Sequence, residues 1–296
     1  MSELLLRRRN LLMKKQEEEM NIRAVCFKAD GEQTVAITKV GSAPAITMQY
    51  SYDGVTWDAW DLTALPFGGN TKVYVRGVNN ARFATHNTYN SFTFSTDAYV
   101  YVSGIAEALL DGENEVLKYS TPYTFRVLFN GQTALREADR LRFEAMINSE
   151  SCYNSMFNGC SNLLSAPELP ATTLGYSSYR SMFNQCTSLI KGPSILPATT
   201  IGPWAYSNMF DGCTSLVNAP ELPAETLAVS CYWHMFNNCT SLKSLKCHAK
   251  VTANNATYNW LSGVKTAGTF YGHSEYGWVS GTSGIPTTWA FEELTD

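Results

Sequence analysis

The sequence predicts an α+β multidomain chain. A helical arm is expected over residues 1–20, a β-sandwich over 21–120, an α/β repeat solenoid over 121–272 and a C-terminal cap over 273–296. Three observations carry this. Leucine pairs seven residues apart open the chain, period-two alternation fills the next hundred residues, and one aromatic, sulphur-rich frame is written four times after that.

The arm reads MSELLLRRRNLLMKKQEEEM. Leu4, Leu5, Leu11 and Leu12 fall on one helical stripe, and a helix this short becomes ordered only when its stripe docks on something. The expectation is a docking or oligomerising arm. Its apolar triplets are split by Arg7-Arg8-Arg9, so it lacks the continuous apolar core and small-residue cleavage site of a secretory signal. No apolar run approaches the roughly 18 residues of a membrane span.

Residues 22–104 alternate apolar and polar, as in "IRAVCFKADG", "ITMQYSYDG" and "KVYVRGVNN". Asp30-Gly31, Asp53-Gly54 and Asn79-Asn80 are turn dipeptides between them. Six or seven short strands at this spacing predict a sandwich, with Trp57 of "VTWDAW" in its core.

The repeat frame centres on Met156, Met182, Met209 and Met235. Tyr stands at −3, Phe at +1 (Phe157, Phe183, Phe210, Phe236), Cys at +4 (Cys160, Cys186, Cys213, Cys239) and Leu at +7. Tyr, Met, Phe and Cys at i, i+3, i+4 and i+7 share one face of an α-helix. Two prolines per unit then stop the helix. Each unit therefore reads as helix, very short strand and turn, and a period of 26 or 27 residues is that of a leucine-rich-repeat solenoid. "FRVLFNGQTAL" and "WLSGVKTAGTF" extend the frame to about six turns. Trp278, Ile285 and Trp289 can cover the open end.

The Met, Phe and Cys positions are expected as structural core. Cysteines on stacked helices with axes roughly 8–10 Å apart lie beyond the ~7 Å Cα reach of a disulfide, and no Cys-x-x-Cys metal spacing occurs. No phosphate loop, dinucleotide fingerprint, nucleophile elbow or zinc-protease motif is present. The chain is expected to be non-enzymatic, with no catalytic residue, cofactor or metal. A net charge of −4 gives no general field for nucleic acid. Residues 151–250 hold only four acidic and five basic residues. Tyr176, Trp204 and Trp233 are the candidate surface contacts there, of a kind that suits protein contact or glycan stacking.

The unit "CYxxMFxxCTSLxxAPELPAxTL" resembles the leucine-rich repeats of BspA-like surface proteins of Bacteroidetes, and "WLSGVKTAGTF…GTSGIPTTW" resembles their C-terminal cap. That resemblance implies adhesion and partner binding at a cell surface. The opening "LLLRRRNLLMKK" resembles starts of structural proteins of Bacteroides-infecting, crAss-like tailed phages. Together they imply a virion structural protein: a head fibre, tail fibre or decoration protein made in the host cytoplasm. Its arm would dock on other virion proteins, the chain would be a homo-oligomer, and its repeats would meet a host surface protein or glycan. The alternative is a BspA-like adhesin on the bacterial cell surface.

Overall fold

A computed structural model describes residues 22–95, 98–113, 121–143, 149–250 and 255–294. The leucine arm with Leu4, Leu5, Leu11 and Leu12 lies outside the described residues. In chain order the strands are β1 (Val25–Ala29), β2 (Gln33–Val40), β3 (Met48–Ser51), β4 (Asp58–Trp60), β5 (Leu65–Phe67), β6 (Val73–Gly77), β7 (Tyr89–Phe94) and β8 (Val100–Ile105). Then follow β9 (Leu135–Arg142), β10 (Thr173–Leu174), β11 (Thr200–Ile201), β12 (Ser244–Lys246), β13 (Thr269–Gly272) and β14 (Ala290–Glu293).

The alternating segments form two sheets. One has six strands in the order β4-β3-β6-β1-β8-β9, antiparallel except for the parallel β8–β9 pair. The other is antiparallel, in the order β5-β2-β7. Period-two burial in β1 and β2 turns one face of each inward. Phe27 of β1 meets Phe92 and Phe94 of β7 edge-on, at ring-centroid distances of 5.1 and 5.5 Å. Trp60, not Trp57, is the tryptophan buried here, its indole N–H donating to the Thr63 carbonyl at 2.8 Å. Trp57 falls before β4 and is half-buried with the Arg76 guanidinium 4.1 Å above its ring.

The repeats correct the sequence reading. No α-helix occurs among the described residues; the only helices are two 3-10 turns, Ala106–Leu109 and Ser274–Tyr276. No continuous sheet runs through the repeats either. Parallel pairing there is confined to the two-residue pair β10–β11, isolated bridges such as Ser165–Lys191, and the C-terminal sheet β12-β13-β14. The α/β leucine-rich-repeat solenoid expected from the spacing is therefore not what forms.

What forms is a ribbon of four-residue turns in each unit. In the Met156 unit, Ser151, Ser155 and Gly159 all have left-handed φ, from +53° to +73°. The same three frame positions are left-handed in all six units. A left-handed residue at every fourth position stops the chain from coiling. Asn154, Met156, Asn158 and Cys160 donate three residues back, to the carbonyls of Ser151, Tyr153, Ser155 and Phe157. The alternate N–H groups point sideways: Ser151, Tyr153, Ser155, Phe157 and Gly159 donate to Tyr176, Ser178, Arg180, Met182 and Asn184 of the next unit at 2.8–3.0 Å. Nearly every backbone donor of the ribbon is thus satisfied, half within the layer and half between layers.

This geometry accounts for the sequence spacing without a helix. With a period of four, Cys152, Met156 and Cys160 form one inward row and Tyr153 and Phe157 the other, all buried. Over two turns, periods of 3.6 and 4.0 place i, i+3, i+4 and i+7 on the same face. Phenylalanine rings stack from Phe92 through Phe129, Phe157, Phe183 and Phe210 to Phe236 at 5.3–5.5 Å. The tyrosine column runs from Phe125 through Tyr153, Tyr179, Tyr206 and Tyr232 to Trp260, and Trp278 closes it at 5.5 Å. Because β7 supplies Phe92 and β9 completes the six-stranded sheet, one apolar core crosses residue 120.

Left-handed φ costs a non-glycine residue about 1–2 kcal/mol. At the third left-handed position, Gly131, Gly159, Gly212 and Gly263 stand in four units and Gln185 (φ +58°) in one. Gln185→Gly is expected to stabilise the fold by about 0.5–1 kcal/mol, since relief of strain exceeds glycine's extra unfolded-state entropy of about 0.4–1 kcal/mol. Urea unfolding checks it: the midpoint should rise at constant slope, and a lower midpoint contradicts the strain.

Candidate functional site

All twelve Met, Phe and Cys frame residues named above are fully buried. None of the eight cysteines forms a disulfide. Each frame thiol donates to the carbonyl of a frame phenylalanine one layer back: Cys160 to Phe129, Cys186 to Phe157, Cys213 to Phe183 and Cys239 to Phe210, at 3.0–3.1 Å. Burial pushes the Cys160 thiol up to about 12 and keeps these sulphurs protonated and unreactive. No group of three metal-ligating side chains occurs among the described residues, and none of their helices is long and apolar enough to cross a membrane.

The three candidate surface aromatics separate. Tyr176 is 48% exposed. Trp204 and Trp233 are half-buried and pack on each other at 5.7 Å, with Tyr258 stacked beyond Trp233 at 6.5 Å and the Arg180 guanidinium 5.3 Å from the Trp204 ring. These two indoles clad the outside of the layers, and Tyr176 lines a groove.

That groove, of about 410 Å³, lies where the first three turn ribbons meet the loop before β7. The loop contributes His86 and Asn87, and the ribbons contribute Tyr123, Arg126, Glu150, Asn154, Tyr176 and Arg180, with Ser151, Ser155, Ser177 and Ser181 between them. The frame explains the convergence. Arg126, Asn154 and Arg180 each stand two residues before the central frame position, so successive layers carry them in one outward column. The serines are the left-handed residues, whose small side chains leave the groove open.

Its hydrogen bonds are partly spent. Tyr123 Oη donates to Glu150 Oε1 at 2.7 Å, and that bond, more than burial, raises the phenol's pKa. Ser155 Oγ donates to Asn154 Oδ1 at 2.8 Å, which leaves the Asn154 amide N–H groups for another partner. Ser177 is 2% exposed, and its Oγ has no hydrogen-bond partner among the described residues. A buried hydroxyl of this kind costs about 1–3 kcal/mol unless something satisfies it. A second groove, of about 720 Å³, opens on the β-half beside Tyr52 and Pro66. It is larger, but Tyr52 Oη already donates to the Pro66 carbonyl, and Gln33 is committed to Ala98 and Ser95, so few groups remain there to bind a ligand.

The sequence reading found Tyr176 and missed Arg126, Asn154, Arg180, Tyr123 and His86. Aligning the units on the Met frame places Arg126, Asn154 and Arg180 in one column, which was the available signal. His86 arrives through tertiary folding alone.

Compared with protein-family models, curated proteins and solved structures, the chain matches none. The virion-fibre and adhesin roles rested on a helical docking arm and a leucine-rich-repeat solenoid. The arm lies outside the described residues and helix-free layers stand in place of the solenoid, so the structure carries neither role.

Proposed function

We propose that this protein is a non-catalytic carbohydrate-binding module whose ligand sits in the groove between the first three turn ribbons and the loop before β7. The observation that carries the reading is the make-up of that groove. An exposed Tyr176 ring and a half-buried Tyr123 ring flank amide, hydroxyl and guanidinium groups, among them the open N–H groups of Asn154. Sugars present apolar C–H faces and rings of hydroxyls, so a binding site needs aromatic platforms beside planar and hydroxyl hydrogen-bonding groups. The layers behind the groove hold these groups on fixed backbone and limit the ordering cost of binding. Kinship of the repeat sequence with BspA-like surface proteins is likewise proposed, on the register of Tyr, Met-Phe, Cys and Leu alone.

The test is a glycan array with the full chain, followed by calorimetry on the best ligand. Tyr176→Ala is expected to weaken binding about tenfold, close to 1.4 kcal/mol. Tyr258→Ala, a comparably exposed aromatic outside the groove, should leave it unchanged. An array without hits, or a Tyr176→Ala protein that binds like the parent, ends the carbohydrate reading.

A further inference from the structure

The groove's charge is unlike that of the chain around it. Arg126 and Arg180 both line it, and neither forms an ion pair among the described residues. The one carboxylate there, Glu150, accepts the Tyr123 hydroxyl through Oε1, so the lining sets two positive charges against one negative. The chain as a whole carries −4, and the surrounding repeats are nearly free of charge. Two half-buried guanidiniums line one polar cleft with a single carboxylate between them, and neither is neutralised by an ion pair among the described residues, although Arg180 also rests against the Trp204 ring. The arrangement is stabilised once an anion enters.

We infer that the ligand of this groove carries a carboxylate, making it an acidic sugar of the uronic- or sialic-acid kind, with Arg126 and Arg180 receiving the acid group and Tyr176 the sugar ring. This rests on the carbohydrate reading and narrows it. A guanidinium meets a carboxylate through two parallel N–H donors, which fixes orientation as well as adding energy. Arg180 is already steered by the Trp204 ring beside it, so less side-chain freedom is lost on binding. Asn154 stands between the two arginines in the same column, and its N–H groups are open to a ring or carboxylate oxygen.

The experiment uses the full chain and matched probes differing only in charge: trigalacturonate against its methyl ester, and sialyllactose against lactose. Calorimetry is run at low and high salt, with a heparin-derived tetrasaccharide as a sulfate control. In at least one pair the acidic member should bind at least tenfold more tightly than the neutral one, with the advantage shrinking as salt rises. Arg126→Gln and Arg180→Gln should each bring the acidic member's affinity to within about threefold of the neutral member's in the same variant, and a ratio that stays at the parent's value overturns the inference. Thermal unfolding of Arg126→Gln should match the parent, and that of Arg180→Gln should fall only slightly, by the loss of its Trp204 contact. Equal binding of both members of each pair overturns the carboxylate inference and leaves the carbohydrate reading intact. Preference for the sulfated probe also overturns it. If neither pair binds at millimolar concentration the inference fails, and the array result then stands alone for the broader reading.

Discussion

Raising the pH above about 9 is expected to unfold this protein within a narrow interval. Seven of its thiols are buried, and burial raises every one. Cys152, Cys160, Cys231 and Cys247 are pushed up to about 12, and Cys186, Cys213 and Cys239 higher still. An unfolded thiol loses its proton near its usual value of 9.0. Between that value and about 12 the folded chain therefore holds more protons than the unfolded chain, and stability falls as pH rises. Each thiol contributes a slope of about 1.4 kcal/mol per pH unit once it is ionised in the unfolded state. Seven together give about 10 kcal/mol per unit, comparable with the whole stability of an ordinary domain at about 5–15 kcal/mol. Tyr153, Tyr179, Tyr206 and Tyr232, also raised by burial, add to the slope above pH 10. Urea unfolding at stepped pH measures it. Stability should be flat to about pH 8 and collapse before pH 11. Replacing Cys152, Cys231 and Cys247 by Ala should make the decline visibly shallower. A chain that keeps its neutral-pH stability at pH 11 would show that the sulphurs are not sealed.

The thiols also mark how far the sequence could be read. Periodicity identified Met156, Phe157, Cys160 and their counterparts as inward-facing, because any regular backbone must bury such residues together. It did not identify the backbone, because an α-helix and a four-residue turn ribbon place i, i+3, i+4 and i+7 alike. The residues that distinguish them are the outward ones. Gly159, Gly212, Asn208, Asn238 and Asn259 recur at the left-handed positions, where glycine and asparagine are least strained. Ser155, Gln185, Trp204 and His234 occupy the same positions against that preference, which weakened the signal. Trp57 was misplaced for a related reason. In "VTWDAW" two tryptophans three apart cannot both follow period two, and the chain turns before β4, so Trp60 alone reaches the core. The groove was least legible. Its column of Arg126, Asn154 and Arg180 belongs to units 26 to 28 residues apart, and His86 comes from a loop 40 residues before Arg126.

Truncating the middle of the phenylalanine column, Phe210→Ala, is expected to cost about 4–5 kcal/mol. Phe210 is fully buried between Phe183 and Phe236, 5.5 Å from each and nearly parallel to both. Losing a buried phenyl ring costs about 3–5 kcal/mol through transfer and cavity terms, and the two ring pairs broken here place Phe210 at the upper end of that range. The backbone limits relaxation. Phe210 donates to Met235 at 2.8 Å while its carbonyl receives the Cys239 thiol at 3.0 Å, so neighbouring layers cannot close on the void without breaking bonds. Phe236→Ala offers an internal comparison. It stacks on Phe210 alone, since Leu261 takes the matching place in the next unit, and it should cost about 0.5–1.5 kcal/mol less. Layers joined only to their neighbours share stability along the stack, so the Phe210 variant should also loosen the units on its C-terminal side. Urea titration reads the first effect, and amide exchange at Trp260 and Cys239 reads the second. A loss below about 1.5 kcal/mol would mean that the column is not the spine of the stack, since cavity formation alone exceeds that value at a packed site.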